Sequence, residues 1–208
     1  MKHVYLVRHG QTHANVNHVF QGADSELTDA GKLQAIRLAE RLKNLKFDKI
    51  IVSDYKRTQQ TSEPISEVSG LPVELSPLFR EEKRPTSWLG KSELTAEGQQ
   101  FYVDLIEKAG DKNWRIEDAE NPHDVLVRIE KALKLLEDDS SEDILVVSHG
   151  DFLKQFIAYV LLGCNADLDD IARLRYSLKT TNTGISMIYH DEKRWRVLSW
   201  NDHAHFAE

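Results

Sequence analysis

The sequence predicts an α/β fold: a three-layer sandwich with a mostly parallel central sheet flanked by helices and a small helical cap insertion. Three observations carry that expectation. Two short apolar runs, Val4-Tyr5-Leu6-Val7 and Ile144-Leu145-Val146-Val147, lead into the His9-Gly10 and His149-Gly150 pairs, and such runs are the pattern of buried parallel strands. Segments of helical periodicity follow the strands in βαβα order. An apolar fraction of 40% and a charged fraction of 29% are those of an ordinary globular chain and exclude a disordered or collagen-like one.

The elements follow in chain order. After the first strand and a polar segment comes Leu27-Thr28-Asp29-Ala30-Gly31, where Thr28 is placed to cap a helix and Asp29 suits its first turn. Leu33, Ile36, Leu38, Ala39, Leu42 and Leu45 recur at helical spacing and are expected to form its buried stripe, with Lys32, Arg37, Glu40 and Lys43 outside. Ile50, Ile51 and Val52 mark a second strand, after which Ser53 or Asp54 is expected to cap a helix carrying Arg57, Thr58 and Thr61.

From about 77 to 122 the pattern loosens around Pro77, Pro85, Pro122 and the run Arg80-Glu81-Glu82-Lys83-Arg84. This reads as a cap inserted over the carboxyl edge of the sheet, with a helix over 96–108 that repeats the Leu-Thr entry at Leu94-Thr95. A helix over 122–137 buries Val125, Ile129, Ala132, Leu133 and Leu136, and another after His149 carries Leu153, Phe156, Ile157, Val160 and Leu161. The last third reads as strand-rich, with 184–190 and 195–200 forming a hairpin about Asp191-Glu192-Lys193-Arg194. A chain of 208 residues is expected to form one domain over 1–208 with that cap as an appendage.

Composition narrows the function. A net charge of −7 argues against a nucleic acid or an anionic membrane as partner. Cys164 is the single cysteine, so an intramolecular disulfide and a thiolate metal cluster are both excluded; following Leu161-Leu162-Gly163, it reads as a small buried residue. The apolar stretch before Arg8 is too short for a signal-peptide core and no later one reaches membrane-spanning length, so the cytoplasm is the expected location. His203 and His205 supply only two ligands near the end of the chain, too few for a metal site. Neither metal nor cofactor is expected. The sequence is silent on oligomeric state.

Both His-Gly pairs fall just past a strand's carboxyl end, where ligands bind in open α/β sheets. Arg8 adjoins His9, and Arg57 lies in the first turns of its helix at the same edge. Guanidinium groups hold phosphate oxygens in bidentate fashion and balance developing charge. A cationic field also disfavours protonation of His9, leaving its lone pair free to attack phosphorus. The predicted chemistry therefore passes through phosphohistidine.

These residues carry a resemblance. Leu6-Val7-Arg8-His9-Gly10-Gln11-Thr12 with Asn15, then Gln21-Gly22, Leu27-Thr28, Gly31, Gln34-Ala35, Ser53, Arg57, Thr61, Ser148-His149-Gly150 and Asn182-Thr183 resemble the histidine phosphatase superfamily, also called phosphoglycerate mutase-like, in order along nearly the whole chain. The resemblance implies a single domain of that type, with His9 as the phosphorylated nucleophile and Arg8, Arg57 and His149 around the phosphate. It implies a phosphate or substrate contact from Asn15, and makes Gln21 and Gly22 candidates for substrate binding alongside Lys83 and Arg84 of the charged run. It also implies a carboxylic acid that protonates the leaving oxygen. Glu81 and Glu82 both stand in that region, and Phe79-Arg80-Glu81, with the acid two residues after an apolar one, favours Glu81.

Where many members carry Glu-x-x-x-Gly-x-x-Glu-Gly, this chain has Glu81-Glu82-Lys83-Arg84-Pro85-Thr86-Ser87-Trp88-Leu89-Gly90, which separates it from the usual substrate assignments. The insertion is also short for the glycolytic type of mutase. The resemblance thus implies a metal-independent phosphomonoester hydrolase acting on a small phosphorylated metabolite. The alternatives are a cofactor-dependent phosphoglycerate-type mutase and a non-catalytic module that binds phosphorylated ligands.

Overall fold

A computed structural model describes residues 1–206. Its six strands are β1 (Lys2–Arg8), β2 (Lys49–Val52), β3 (Val73–Leu75), β4 (Asp143–Ser148), β5 (Ile185–His190) and β6 (Trp195–Asp202). They form one sheet in the order β3-β2-β4-β1-β5-β6. The first four strands in that order are parallel, while β5 runs antiparallel to β1 and β6 antiparallel to β5. The helices are α1 (His13–Asn17), α2 (Asp29–Leu42), α3 (Lys56–Ser69), α4 (Ala96–Glu107), α5 (Pro122–Asp138), α6 (Gly150–Leu162) and α7 (Leu168–Ser177). The mostly parallel α/β sandwich expected from the sequence is the architecture observed.

Alternation along the central strands builds the two cores. Val4, Leu6, Ile144 and Val146 face α5, α6 and α7 in one cluster, through Val125, Ile129, Phe152, Phe156 and Ile171. Val7, Leu145 and Val147 turn to the other side, against Leu38, Ala39 and Leu42 of α2 and Ile65 of α3. A third cluster lies apart from both, where Phe20 packs on Trp88, Phe101 and Leu105 of the segment between β3 and α5.

Several local expectations are corrected. Thr28 does cap α2, accepting from the Gly31 N–H at 2.9 Å, but Leu33, Ile36 and Leu45 are exposed. The helix buries Leu38, Ala39 and Leu42 as expected, together with Gly31 and Ala35, because small residues let its axis approach the sheet on that side. Leu161 is likewise exposed at the end of α6. Neither Ser53 nor Asp54 caps α3: the N-cap is Tyr55 without a side-chain bond, since the Ser53 hydroxyl serves His149 and Asp54 pairs with Arg80. Helix α7, capped by Asp167, interrupts the region read as strand-rich. Cys164 is exposed, because Gly163 at φ +86° ends α6 and turns the chain outward. No helix of the described residues is long and apolar enough to cross a membrane.

Candidate active site

Parallel pairing of β1 with β4 sets Arg8 opposite Ser148, so His9 and His149 leave the sheet side by side at its carboxyl edge. Their ring centroids are 5.2 Å apart and both side chains are buried. Three elements fix the loop after β1. The Gly10 N–H donates to Thr61 Oγ1 of α3 at 2.9 Å, and the His9 carbonyl accepts from Asn182 Nδ2 at 3.0 Å. Helix α2 closes the third side at Gly31, where a Cβ would stand 2.1 Å from the Gln11 carbonyl oxygen. Only glycine permits that approach.

Hydrogen bonds settle the state of each imidazole. His9 Nδ1 lies 2.7 Å from the Gly10 carbonyl oxygen, which can only accept. Nδ1 therefore carries the proton and Nε2 the lone pair. His149 Nδ1 lies 3.1 Å from Arg57 Nε, which can only donate, so His149 carries its proton on Nε2 and donates it to Ser53 Oγ at 2.8 Å. Burial, then Arg57 and Arg8, holds the His9 pKa well below the ordinary histidine value. Burial and Arg57 do the same for His149.

The arginines are buried cations with spare donors. Arg8 Nη1 donates to the Thr180 carbonyl at 2.8 Å, and Arg57 Nη1 to the Gly22 carbonyl at 2.8 Å. Arg8 Nε and Arg57 Nη2 are buried and without a protein acceptor among the described residues. Burial lowers the Arg57 pKa to about 10, so the group stays charged at neutral pH. A Cβ at Gly150 would meet Arg8 Nε at 3.2 Å, so glycine at the start of α6 makes room for the guanidinium. Two buried N–H donors beside a nucleophilic nitrogen form an oxyanion receptor.

The two adjacent glutamates have different surroundings. Glu81 accepts the Phe152 N–H at 2.8 Å and the Asp151 N–H at 3.2 Å, at the amino end of α6, and its side chain lines the cavity that holds His9. Glu82 is fully buried between Arg84 at 2.8 Å and Arg175 at 2.9 Å. Burial would raise its pKa, but the two guanidinium groups outweigh burial and hold it below the usual carboxylate range.

The cavity measures about 260 Å³ and includes Arg8, His9, Asn15, Gln21, Glu81 and Arg84 in its walls. Arg57 and His149 are wholly buried and not in its walls; they join His9 through their bond to each other and the ring contact between the histidines. Gly22 contributes its carbonyl to Arg57. Lys83 is not in the walls; its ammonium pairs with Asp118 at 2.9 Å. Glu93, Asp151, Lys154, Tyr176 and Thr180 are wall residues the sequence did not single out, and Tyr102, an aromatic residue of the insertion to which the sequence assigns no role, joins them. Asp151 alone had a local signal, being charged and next to Gly150. A larger groove of about 760 Å³ opens at the opposite edge of the sheet, between the end of α6 and the β5-β6 hairpin, and holds none of the histidine-arginine set. No group of three metal-ligating side chains occurs among the described residues.

Known proteins are similar to the chain along nearly its whole length. A protein named probable phosphoglycerate mutase GpmB, from Enterobacter sp. (strain 638), is 36% identical over 208 residues, covering 96% of this chain and 90% of the relative. The solved structure of Bacillus stearothermophilus YhfR superposes with a TM-score of 0.83 at 26% identity, over 99% of each chain. The alpha-ribazole phosphatase from Shigella flexneri gives a TM-score of 0.79 at 25% identity, over 96% of each. The sequence model of the histidine phosphatase superfamily (branch 1) matches residues 4–203, and the chain belongs to that family.

Proposed function

We propose that this enzyme hydrolyses phosphomonoesters of small metabolites through a phosphohistidine at His9, without a metal ion. The observation that carries the reading is the proton placement on His9: Nδ1–H is spent on the Gly10 carbonyl, which leaves Nε2 nucleophilic beside two buried arginine donors. Nε2 attacks phosphorus, the P–O bond breaks, and the leaving oxygen takes a proton from Glu81. In the second step the Glu81 carboxylate removes a proton from water. The resulting oxygen attacks the phosphohistidine, the P–N bond breaks, and phosphate departs with His9 restored. Arg8, Arg57 and His149 surround the phosphoryl group, and Asn15 reaches it from α1. The guanidinium groups supply the charge compensation that another enzyme would take from a cation.

The segment of about 77–122 acts as the cap, bringing Glu81, Arg84, Glu93 and Tyr102 to the cavity. At about 260 Å³ the cavity is smaller than the ~300–1,000 Å³ of sites for drug-sized ligands, which supports a small substrate. The name of the 36% identical relative favours one other reading, a phosphoglycerate mutase that returns the phosphoryl group to bound product. Hydrolysis of a phosphomonoester panel in EDTA, by native protein and His9→Ala, tests the proposal. Phosphate release lost in the variant, with an acid-labile phosphoenzyme trapped on the native protein, is expected. A phosphoenzyme that transfers to phosphoglycerate but resists water would instead establish the mutase.

A further inference from the structure

Beyond the residues assigned to the phosphate, the cavity is walled by Arg84, Glu93, Tyr102, Asp151, Lys154 and Tyr176. Their charges are unevenly matched. Arg84 pairs with Glu82 at 2.8 Å and also with Asp151, and Lys154 pairs with Asp151 at 2.8 Å. Both cations are thus compensated from within the protein. Glu93 has no ion pair among the described residues, and it shares the cavity wall with Tyr102.

The position of Glu93 is fixed by backbone. Its N–H donates to the His18 carbonyl at 2.8 Å, and its carbonyl accepts from Gln99 Nε2 at 2.8 Å. The Arg84 guanidinium lies 5.4 Å from the centre of the Tyr102 ring, and the Tyr102 carbonyl accepts from the Tyr176 hydroxyl at 3.0 Å. A half-buried carboxylate with no cation at ion-pair distance accepts hydrogen bonds from hydroxyl groups and opposes a second anion.

We propose that Glu93, with Tyr102 in the same wall, selects phosphomonoesters whose other end is short, uncharged and hydroxylated, and rejects those that end in a carboxylate. This rests on the phosphomonoesterase reading above. Glycerol 3-phosphate and 3-phosphoglycerate are the probes, because they share a skeleton and differ by a CH₂OH in place of a carboxylate. Native protein is expected to favour glycerol 3-phosphate at least tenfold in kcat/KM. Glu93→Gln is expected to shrink that ratio at least tenfold, chiefly through a lower KM for 3-phosphoglycerate, and Tyr102→Phe to shift it in the same direction.

A native preference for 3-phosphoglycerate, or a ratio unmoved in both folded variants, overturns the assignment. Hydrolysis of p-nitrophenyl phosphate by native protein and its loss in His9→Ala decide the phosphomonoesterase reading separately. If native protein leaves that ester intact, the reading fails. The order of calorimetric Kd values for the two probes, native against Glu93→Gln, then decides the role of Glu93 alone.

Discussion

Exchanging Glu81 and Glu82 for glutamine, one at a time, is expected to damage two different properties. Glu82 is wholly buried, and Arg84 and Arg175 keep only 7% and 2% of their side-chain surface. Glu82→Gln preserves shape but leaves Arg175 in the interior with no ion-pair partner. Breaking a buried ion pair from one side costs about 3–5 kcal/mol. For a chain of this length each kcal/mol moves Tm by about 2–4 °C, so a fall of roughly 6–20 °C is expected. Glu81→Gln keeps an amide oxygen for the Phe152 N–H at the start of α6. Its Tm moves little, while loss of the proton donor lowers kcat by about 10²–10⁴. Calorimetric Tm and steady-state hydrolysis of glycerol 3-phosphate, an alkyl ester whose leaving oxygen needs a proton, make the comparison on both variants. An unchanged Tm for Glu82→Gln, or a native rate for Glu81→Gln, refutes the division of labour.

Three further outcomes are expected. Gly31→Ala forces a Cβ to within 2.1 Å of the Gln11 carbonyl; displacing the loop after His9 by about 1 Å lowers kcat by about 10², and a variant crystal structure with the loop unmoved would count against it. Ser53→Ala strips the acceptor from the buried His149 Nε2–H, a loss of about 1–3 kcal/mol that urea titration reads, with no change in midpoint as the contrary result. Both imidazoles are held neutral in the fold with pKa values well below 6.5, whereas the unfolded chain takes up protons near pH 6.5. Their contribution is therefore complete above pH 6.5 and declines below it, by about 1 kcal/mol per histidine between pH 6.5 and 5.5. Urea titrations at the two pH values on native protein and His149→Gln measure this, and an equal decline in both excludes it.

Much of the frame was legible because it depends on local pattern. The two strand-His-Gly runs, the Thr28 and Thr95 helix entries and the stripe of α5 need only neighbours in sequence. What escaped notice depends on partners far along the chain. Ser53 looked like a cap because the sequence does not show His149 arriving 2.8 Å from its hydroxyl. Arg175, on the unforeseen α7, is a core residue only because Glu82 meets it across 93 positions. Leu33 and Ile36 fit a helical stripe as well as Ala35 and Leu38 do, and the sheet's position decides which side is covered. Glu93 and Tyr102 belong to the cavity through the folding of the segment between β3 and α5, which leaves no periodic trace.

The placement of β1 between β4 and β5 has a consequence for the biogenesis of the chain. His3 waits 140 residues for Asp143, its partner across the β1-β4 ladder. At synthesis rates of about 5–20 residues per second, that interval is roughly 7–28 s. Throughout it the apolar strand that ends in Arg8 has both edges open, and no nascent chain shorter than β4 can hold His9 beside His149. The interval in which the strand is open on both sides is thus also the interval in which there is no phosphate site; pairing with β4 brings the histidines together and closes one edge, and β5 closes the other.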